Sequence, residues 1–405
     1  MNPIRIIHIA DLHLGFTGPP TLLLSEGEQA GRPVREVDVE QAAAWMADTI
    51  PCLTPAVDLV LVAGDLFHRP NPLPRAVASA AHLVARLRAA GIDVVIVDGN
   101  HDTPSRPTQG SPTAFLEALG ARVVSGQPRQ LRDADWNNAR LQSHVVVHAV
   151  PASLEPTTDD VAPETGRINI LLAHGRHEGT EQAPSARRGA TVSSDLLRRG
   201  WTYAALGDCH AHGERPLADV HAYYAGSAEV LTFGEAPEHP TRTGDPYASG
   251  GMLLVTVASS TDVTVTSLPY PDRRAVVRLG EVDGAHLSVD QLLDELDTRT
   301  SALPGSALAS VKVRRCPPHL HASVDVVRLK GLQSRCLMLD VEWEVTDPEV
   351  LQSEVPASPD RLEDQWSAYL DDHAHAEEDV AWLLERGNDL LQQARDSHLH
   401  TDEGI

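Results

Sequence analysis

DLVLVAGDLFH, residues 58–68, decides the fold. Residues 58–63 are an apolar run of strand length that stops at Gly64-Asp65. A run this continuous suits a strand covered on both faces, and α/β proteins place their chemistry at the C-terminal edge of such strands. The design recurs: IRIIHIA (4–10) ends at Asp11, IDVVIV (92–97) leads to Gly99-Asn100, INILLA (168–173) ends at His174, and TYAAL (202–206) ends at Gly207-Asp208. Between them, segments 40–49 and 75–90 repeat Ala and Leu at three- and four-residue spacing, the period of a helix. Strands alternating with helices predict a layered α/β core. One such polar residue after a strand is ordinary turn chemistry. Metal-competent residues at five successive strand ends are not.

Beyond residue 250 the texture changes. GGMLLVTV and TDVTVTSL alternate like antiparallel strands and finish a first domain over residues 1–270. Residues 275–345 read as a small α/β domain: AVVRLGEV, a helix opened by Ser288, then LASVKVRR and CLMLDVEWEV, with Tyr270-Pro271-Asp272 as the hinge. Residues 346–405 read as an acidic linker followed by one or two amphipathic helices over 361–395, with Leu362, Trp366, Leu370, Val380, Leu384 and Leu391 on one stripe. That stripe suits either a partner or the chain's own surface.

The composition is that of an ordinary globular protein, 42% hydrophobic and 22% charged. No apolar run approaches the roughly 20 residues needed to span a bilayer. Asp11 and His13 interrupt the opening MNPIRIIHIADLHLGF, so it does not read as a signal peptide. Four scattered cysteines without CxxC spacing suit a reducing cytoplasm. The net charge of −24 is the wrong sign for gripping DNA phosphates. The excess is uneven, however: from Glu342 to Glu403, 18 acidic residues face only Arg361, Arg386 and Arg395.

The strand ends read Asp11-Leu12-His13, Gly64-Asp65-Leu66-Phe67-His68, Gly99-Asn100-His101-Asp102, His174-Gly175 and Gly207-Asp208-Cys209-His210. Phosphate-ester hydrolysis needs the phosphoryl charge neutralised and an ionised water near neutral pH, and two divalent ions about 3.5–4 Å apart supply both. Carboxylates can bridge such ions, while imidazole and amide ligands complete the shells without repelling the phosphate.

In this order the residues resemble the calcineurin-like metallophosphoesterases, and ADLHLG, AGDLFHRPNP, GNHD and YYAGSAEVLTFGE resemble the SbcD-type DNA repair nucleases among them. The resemblance is strong over roughly residues 1–270. It implies an α/β fold: a layered metallophosphoesterase β-sandwich flanked by helices, with a small α/β capping domain and a helical C-terminal tail. It implies that Asp65 bridges two ions, with Asp11, His13 and His210 on the first and Asn100 and His174 on the second. His101 matches the histidine that protonates the leaving oxygen or steadies the transition state, and His68 a second histidine near the phosphate, although Phe-His-Arg-Pro is also a plain loop start. Asp102 orients its neighbours. The family's last motif is usually G-H-x-H, so Asp208 stands where a second-ion histidine is expected, with His212 as an alternative ligand.

The function implied is a Mn2+-dependent DNA nuclease, with Mg2+ as the alternative metal, working with an SbcC-like ATPase that docks residues 361–395. A homodimer through residues 75–90 or 111–120 is also implied. Arg69, Arg106, Arg176, Arg187 and Arg188 lie near the motif loops as candidate strand guides. Cys209 reads as packing, and His177, His221, His319 and His321 as surface or capping residues. The acidity and Asp208 favour two rivals: a phosphatase or small-nucleotide phosphodiesterase, and a metal-bound subunit that only regulates an ATPase.

Overall fold

A computed structural model of the chain describes residues 2–104, 106–152, 161–179, 190–236, 250–346 and 386–387. Apart from residues 386–387, the linker and helices expected beyond residue 346 therefore lie outside the described residues, as do Arg187 and Arg188.

The chain begins β1 (Ile4–Ile9), α1 (Val34–Thr49), β2 (Leu59–Ala63), α2 (Pro74–Ala89), β3 (Asp93–Val97) and β4 (Arg122–Val124). It continues β5 (Arg129–Leu131), β6 (Val145–Val150), β7 (Ile168–His177), β8 (Ala190–Val192), α3 (Ser194–Leu197), β9 (Tyr203–Gly207) and β10 (Ala222–Tyr224). The hairpin β11 (Gly251–Ser259) and β12 (Asp262–Pro269) follows. One sheet has the order β12-β11-β1-β2-β3-β4 and the other β10-β9-β7-β6-β5, with β8 paired to β7. Strands β1 to β4 are mutually parallel, and β11 closes antiparallel onto β1.

Alternation along each strand explains the layering. Ile4 and Ile6 of β1, Leu59 and Leu61 of β2, and Val95 and Val97 of β3 pack against Val145, Val147, Ile170, Leu172 and Tyr203 of the second sheet. The intervening Ile7, Ile9, Val60, Val62, Val94 and Ile96 pack against Met46, Ala80, Leu83 and Leu87 of α1 and α2. Leu171, Ala173, Ala204 and Leu206 turn the second sheet's outer face toward α3 and Trp201. Fully burying each such Ile, Leu or Val contributes about 1.5–3 kcal/mol, which is why these strands need apolar residues on both faces. His8 is the exception between the sheets. Its Nε2–H donates to the Leu206 carbonyl at 3.2 Å and its Nδ1 accepts from the Tyr203 hydroxyl at 2.9 Å. Burial pushes its pKa down to about 3, so the ring stays neutral.

The second unit runs β13 (Val276–Asp283), α4 (Val289–Thr300), β14 (Leu308–Cys316), α5 (Pro318–Ala322), α6 (Val326–Gln333) and β15 (Met338–Val345). Its parallel sheet has the order β13-β14-β15 and its own core around Leu292, Leu296, Val311 and Val313. Ser288 caps α4, exchanging hydrogen bonds with Gln291.

Apolar residues from both units meet at Leu22, Val34, Val230, Val276 and Leu308. Beside them Arg35, 1% exposed, donates to Asp38 at 2.5 Å, to Glu229 at 3.2 Å and to the Val230 carbonyl. Arg274, at the entry to the second unit, grips both oxygens of Asp38 at 2.6 Å. Removing Arg35 leaves two buried carboxylates under-compensated. Arg35→Met is expected to lower unfolding free energy by about 3 kcal/mol, read from urea denaturation. Arg198→Ala, which breaks the exposed Arg198–Asp219 pair, is expected to leave the midpoint unchanged.

Candidate metal centre

Both sheets end at one seam, and the residues singled out by the strand ends meet there. Asp11 and His13 follow β1, Asp65 follows β2 and Asn100 follows β3; His174 lies near the end of β7, and Asp208 and His210 follow β9. The approach is close enough to forbid side chains at two points. A Cβ on Gly207 would lie 1.8 Å from the Ala63 carbonyl oxygen, and one on Gly99 would lie 2.0 Å from the Asp65 carboxylate. Asp11, His13, Asp65 and Asp208 all hold positive φ (52°, 47°, 50° and 90°), a conformation costly for non-glycine residues and concentrated at functional sites.

Ligand atoms of Asp11, Asp65 and His174 lie within 4.8 Å of one another, as do those of Asp11, His13 and His210, and those of His13, His68 and His101. Asp65 is 3.6 Å from both His13 Nε2 and His174 Nε2, placing its carboxylate between the first two groups. His174 Nε2 is 2.8 Å from Asn100 Oδ1 and 3.7 Å from Asp208 Oδ1. His174 Nδ1–H donates to the Ala63 carbonyl at 2.8 Å, which tethers one sheet to the other and leaves Nε2 to face the cluster. His13 Nε2 and His210 Nε2 face each other at 3.2 Å. Asp102 receives the backbone N–H groups of Leu66, Phe67 and Gly99 at 2.9–3.1 Å, so it braces two site loops.

The calcineurin-like phosphoesterase family matches residues 4–238. The chain belongs to that family. The phosphoesterase is similar to the DNA double-strand break repair protein Mre11 of Archaeoglobus fulgidus, 33% identical over 38% of this chain and 31% of the relative. It is similar to Mre11 of Sulfurisphaera tokodaii, 25% identical over 75% and 72%, and to an SbcCD nuclease subunit of Bacillus subtilis, 24% identical over 58% and 63%. The chain thus spans from about a third to nearly three quarters of the length of these three relatives.

Burial makes the cluster electrostatically costly without a cation. Asp11 is pushed up to about 7, first by burial and then by Asp65, against the pull of His210 and His174. Burial lowers His174, yet Asp65, Asp11 and Asp208 outweigh it and raise it to about 9. His210 goes the same way, to about 9, on Glu235, Asp11 and Asp65. Burial pushes Asp102 up to about 8, and burial beside four histidines holds His13 well below its ordinary value. Several buried carboxylates, an amide oxygen and imidazoles with one nitrogen already anchored are a donor set that fits divalent ions.

Two contacts were not legible from spacing. Glu235, the last residue of the quoted YYAGSAEVLTFGE, takes the His210 Nδ1–H at 3.1 Å and so aims Nε2 into the cluster. Arg176 donates from Nε to Asp208 Oδ2 at 3.1 Å, offsetting the charge that an aspartate adds at this position. Arg176 is therefore committed to Asp208 rather than standing free as a strand guide. His212 is also corrected: its ring nitrogens bond the Ala225 carbonyl at 2.5 Å and Ser267 Oγ at 2.7 Å, away from the cluster. His177, expected at the surface, is buried and bonds Ser194 Oγ at 2.9 Å. Cys209 is part-buried and packs against the second sheet's outer cluster.

In the metal-free protein the raised pKa values of His174 and His210 contribute stability that is complete below the ordinary 6.5 and lost as pH rises through about 9. Asp102, raised to about 8, acts with the same sign up to that pH, and His13 is neutral throughout the window. Thermal melts in chelator are expected to fall between pH 6.5 and 9, and saturating divalent ion to remove most of that fall. A flat metal-free profile contradicts the charge reading. Glu235→Gln is expected to weaken divalent-ion affinity about 10- to 100-fold by calorimetry, with the fold intact by circular dichroism.

Proposed function

We propose that this phosphoesterase is a DNA nuclease that hydrolyses phosphodiester bonds with two divalent ions, Mn2+ in preference to Mg2+. The observation that carries the reading is the meeting of buried Asp11, Asp65 and His174 within 4.8 Å of one another. The relatives' names, DNA break repair proteins and a component of the SbcCD nuclease, supply the substrate class. Asp65 is assigned to both ions, Asp11, His13 and His210 to the first, and Asn100, His174 and Asp208 to the second. Three imidazoles among these ligands favour Mn2+ over Mg2+, which prefers oxygen. Bound there, two divalent ions neutralise the phosphoryl oxygens and acidify water enough for attack near neutral pH.

The chain's own groups do the rest. His101 is fixed twice, by its backbone N–H donating to Asp65 Oδ1 at 2.8 Å and by Nδ1–H donating to the His68 carbonyl at 2.9 Å. Its Nε2 is then the nitrogen that carries a proton to the departing ribose oxygen. The His68 ring stacks on His101 at 5.3 Å between centroids and abuts His13 edge-on at 5.4 Å, which holds both rings in register beside the phosphate. Asp208 completes the second ligand set, with Arg176 limiting its net charge.

A partner ATPase docking residues 361–395, which apart from 386–387 lie outside the described residues, is proposed on the apolar stripe of that segment and on the name of the SbcCD relative, a subunit of the SbcCD nuclease. A homodimer through residues 75–90 or 111–120 is proposed on nearby Leu73 and Phe115, two large apolar side chains left exposed there. Among the described residues no helix is long and apolar enough to cross a membrane.

The test is digestion of end-labelled linear and circular single-stranded DNA with Mn2+, beside a generic phosphomonoester. DNA is expected to be cut and the monoester spared. His101→Ala is expected to lower kcat about 100-fold or more while keeping Mn2+ affinity, and Asp65→Ala to lose both. Turnover of the monoester alone replaces the substrate with a small phosphoester, the reading that the net charge of −24 favours. No turnover of either, with the ATPase present, leaves a regulatory role.

A further inference from the structure

A cavity of about 300 Å3 opens beside the metal cluster, walled by Phe16 and Pro19 after β1, by Leu231 and Phe233, and by Leu308 and Met338 of the second unit. Two of the chain's four phenylalanines line it. It adjoins the site on two sides. The Phe16 ring meets the His68 ring edge-on at 5.1 Å between centroids. The segment carrying Phe233 runs directly into Glu235, which holds His210.

The lining is mostly apolar, and the one charged side chain in it, Arg35, has its guanidinium already engaged by Asp38, Glu229 and the Val230 carbonyl. The cavity therefore offers apolar and aromatic surface rather than a cation. A phosphate needs more than that. A flat ring needs no more, and the volume sits at the lower limit for ligand pockets, about 300–1,000 Å3.

We propose that this cavity receives one unpaired nucleobase of the strand being cut, held against Phe16 and Phe233. The proposal rests on the nuclease reading above. It also answers the charge problem. A chain of net charge −24 gains little from displacing counterions, whereas stacking a base on aromatic rings supplies sequence-tolerant affinity that does not depend on lysine or arginine. A base adjoining the phosphate at the metal cluster is the nearest apolar group such a strand offers.

The test is a scan of end-labelled single-stranded oligonucleotides in which one abasic residue is moved along the sequence, cut by wild type and by Phe233→Ala with Mn2+. In wild type, an abasic residue beside a given phosphate is expected to slow cutting at that phosphate about tenfold. Phe233→Ala is expected to slow the intact oligonucleotide by a similar factor, and to add little on the abasic one, because both changes remove the same contact. The wild-type scan stands even where Phe233→Ala does not fold. Cutting indifferent to the abasic residue, or losses that multiply, overturns the base pocket while leaving the nuclease reading in place. No cutting of the intact oligonucleotide by wild type overturns both.

Discussion

The site depends on how closely the two sheets approach at one end. Through most of the sandwich their inner faces are separated by interleaved Ile, Val, Leu and Tyr side chains. At the C-terminal ends of β2, β7 and β9 that filling stops, and Gly207 of β9 sits against the Ala63 carbonyl where no Cβ fits. The same carbonyl accepts the proton of His174 Nδ1. One backbone oxygen of the first sheet thus sets both the spacing of the seam and the tautomer of a candidate ligand. Ligands from two sheets can converge within a few ångströms only because backbone, rather than side chains, meets backbone there.

Convergence is costly. Asp11, Asp65 and Asp102 are each no more than 1% exposed, and burial, reinforced by neighbouring carboxylates, drives Asp11 and Asp102 toward protonation. Left-handed backbone at Asp11, His13, Asp65 and Asp208 adds local strain. Neither feature serves a stable fold by itself. Divalent ions held by these residues would supply the missing positive charge, while Arg176 on Asp208 and Glu235 on His210 adjust the balance at the rim. Asp208 is therefore half of an ion pair rather than a simple replacement for an imidazole.

Much of this is legible in the sequence for one physical reason. Strands buried on both faces need continuous apolar runs, so β1, β2, β3, β7 and β9 stand out, and each candidate ligand follows its run within a few residues. Where burial is polar, the signal fails. Helix α1 begins at Val34, six residues before the apolar period becomes visible at 40, because Arg35, Glu36 and Asp38 are buried in its first turns. Strand β6, VVVHAV, is as apolar as its neighbours but carries no site residue at its end, so the pattern of strand and ligand passes over it. The Arg176–Asp208 pair spans 32 residues of chain, and only the pairing of β7 with β9 brings it together. His212 shows the converse: the right residue type two positions from a ligand, turned away by its bonds to Ala225 and Ser267.

We infer that Asp65 lies between two divalent ions, each held by ligands from both sheets. Anomalous diffraction from crystals equilibrated with Mn2+ tests it most directly. Two peaks are expected about 3.5–4 Å apart, one on each side of the Asp65 carboxylate, with Asp208 in contact with the peak that touches His174. A single peak, or two that do not share Asp65, contradicts it.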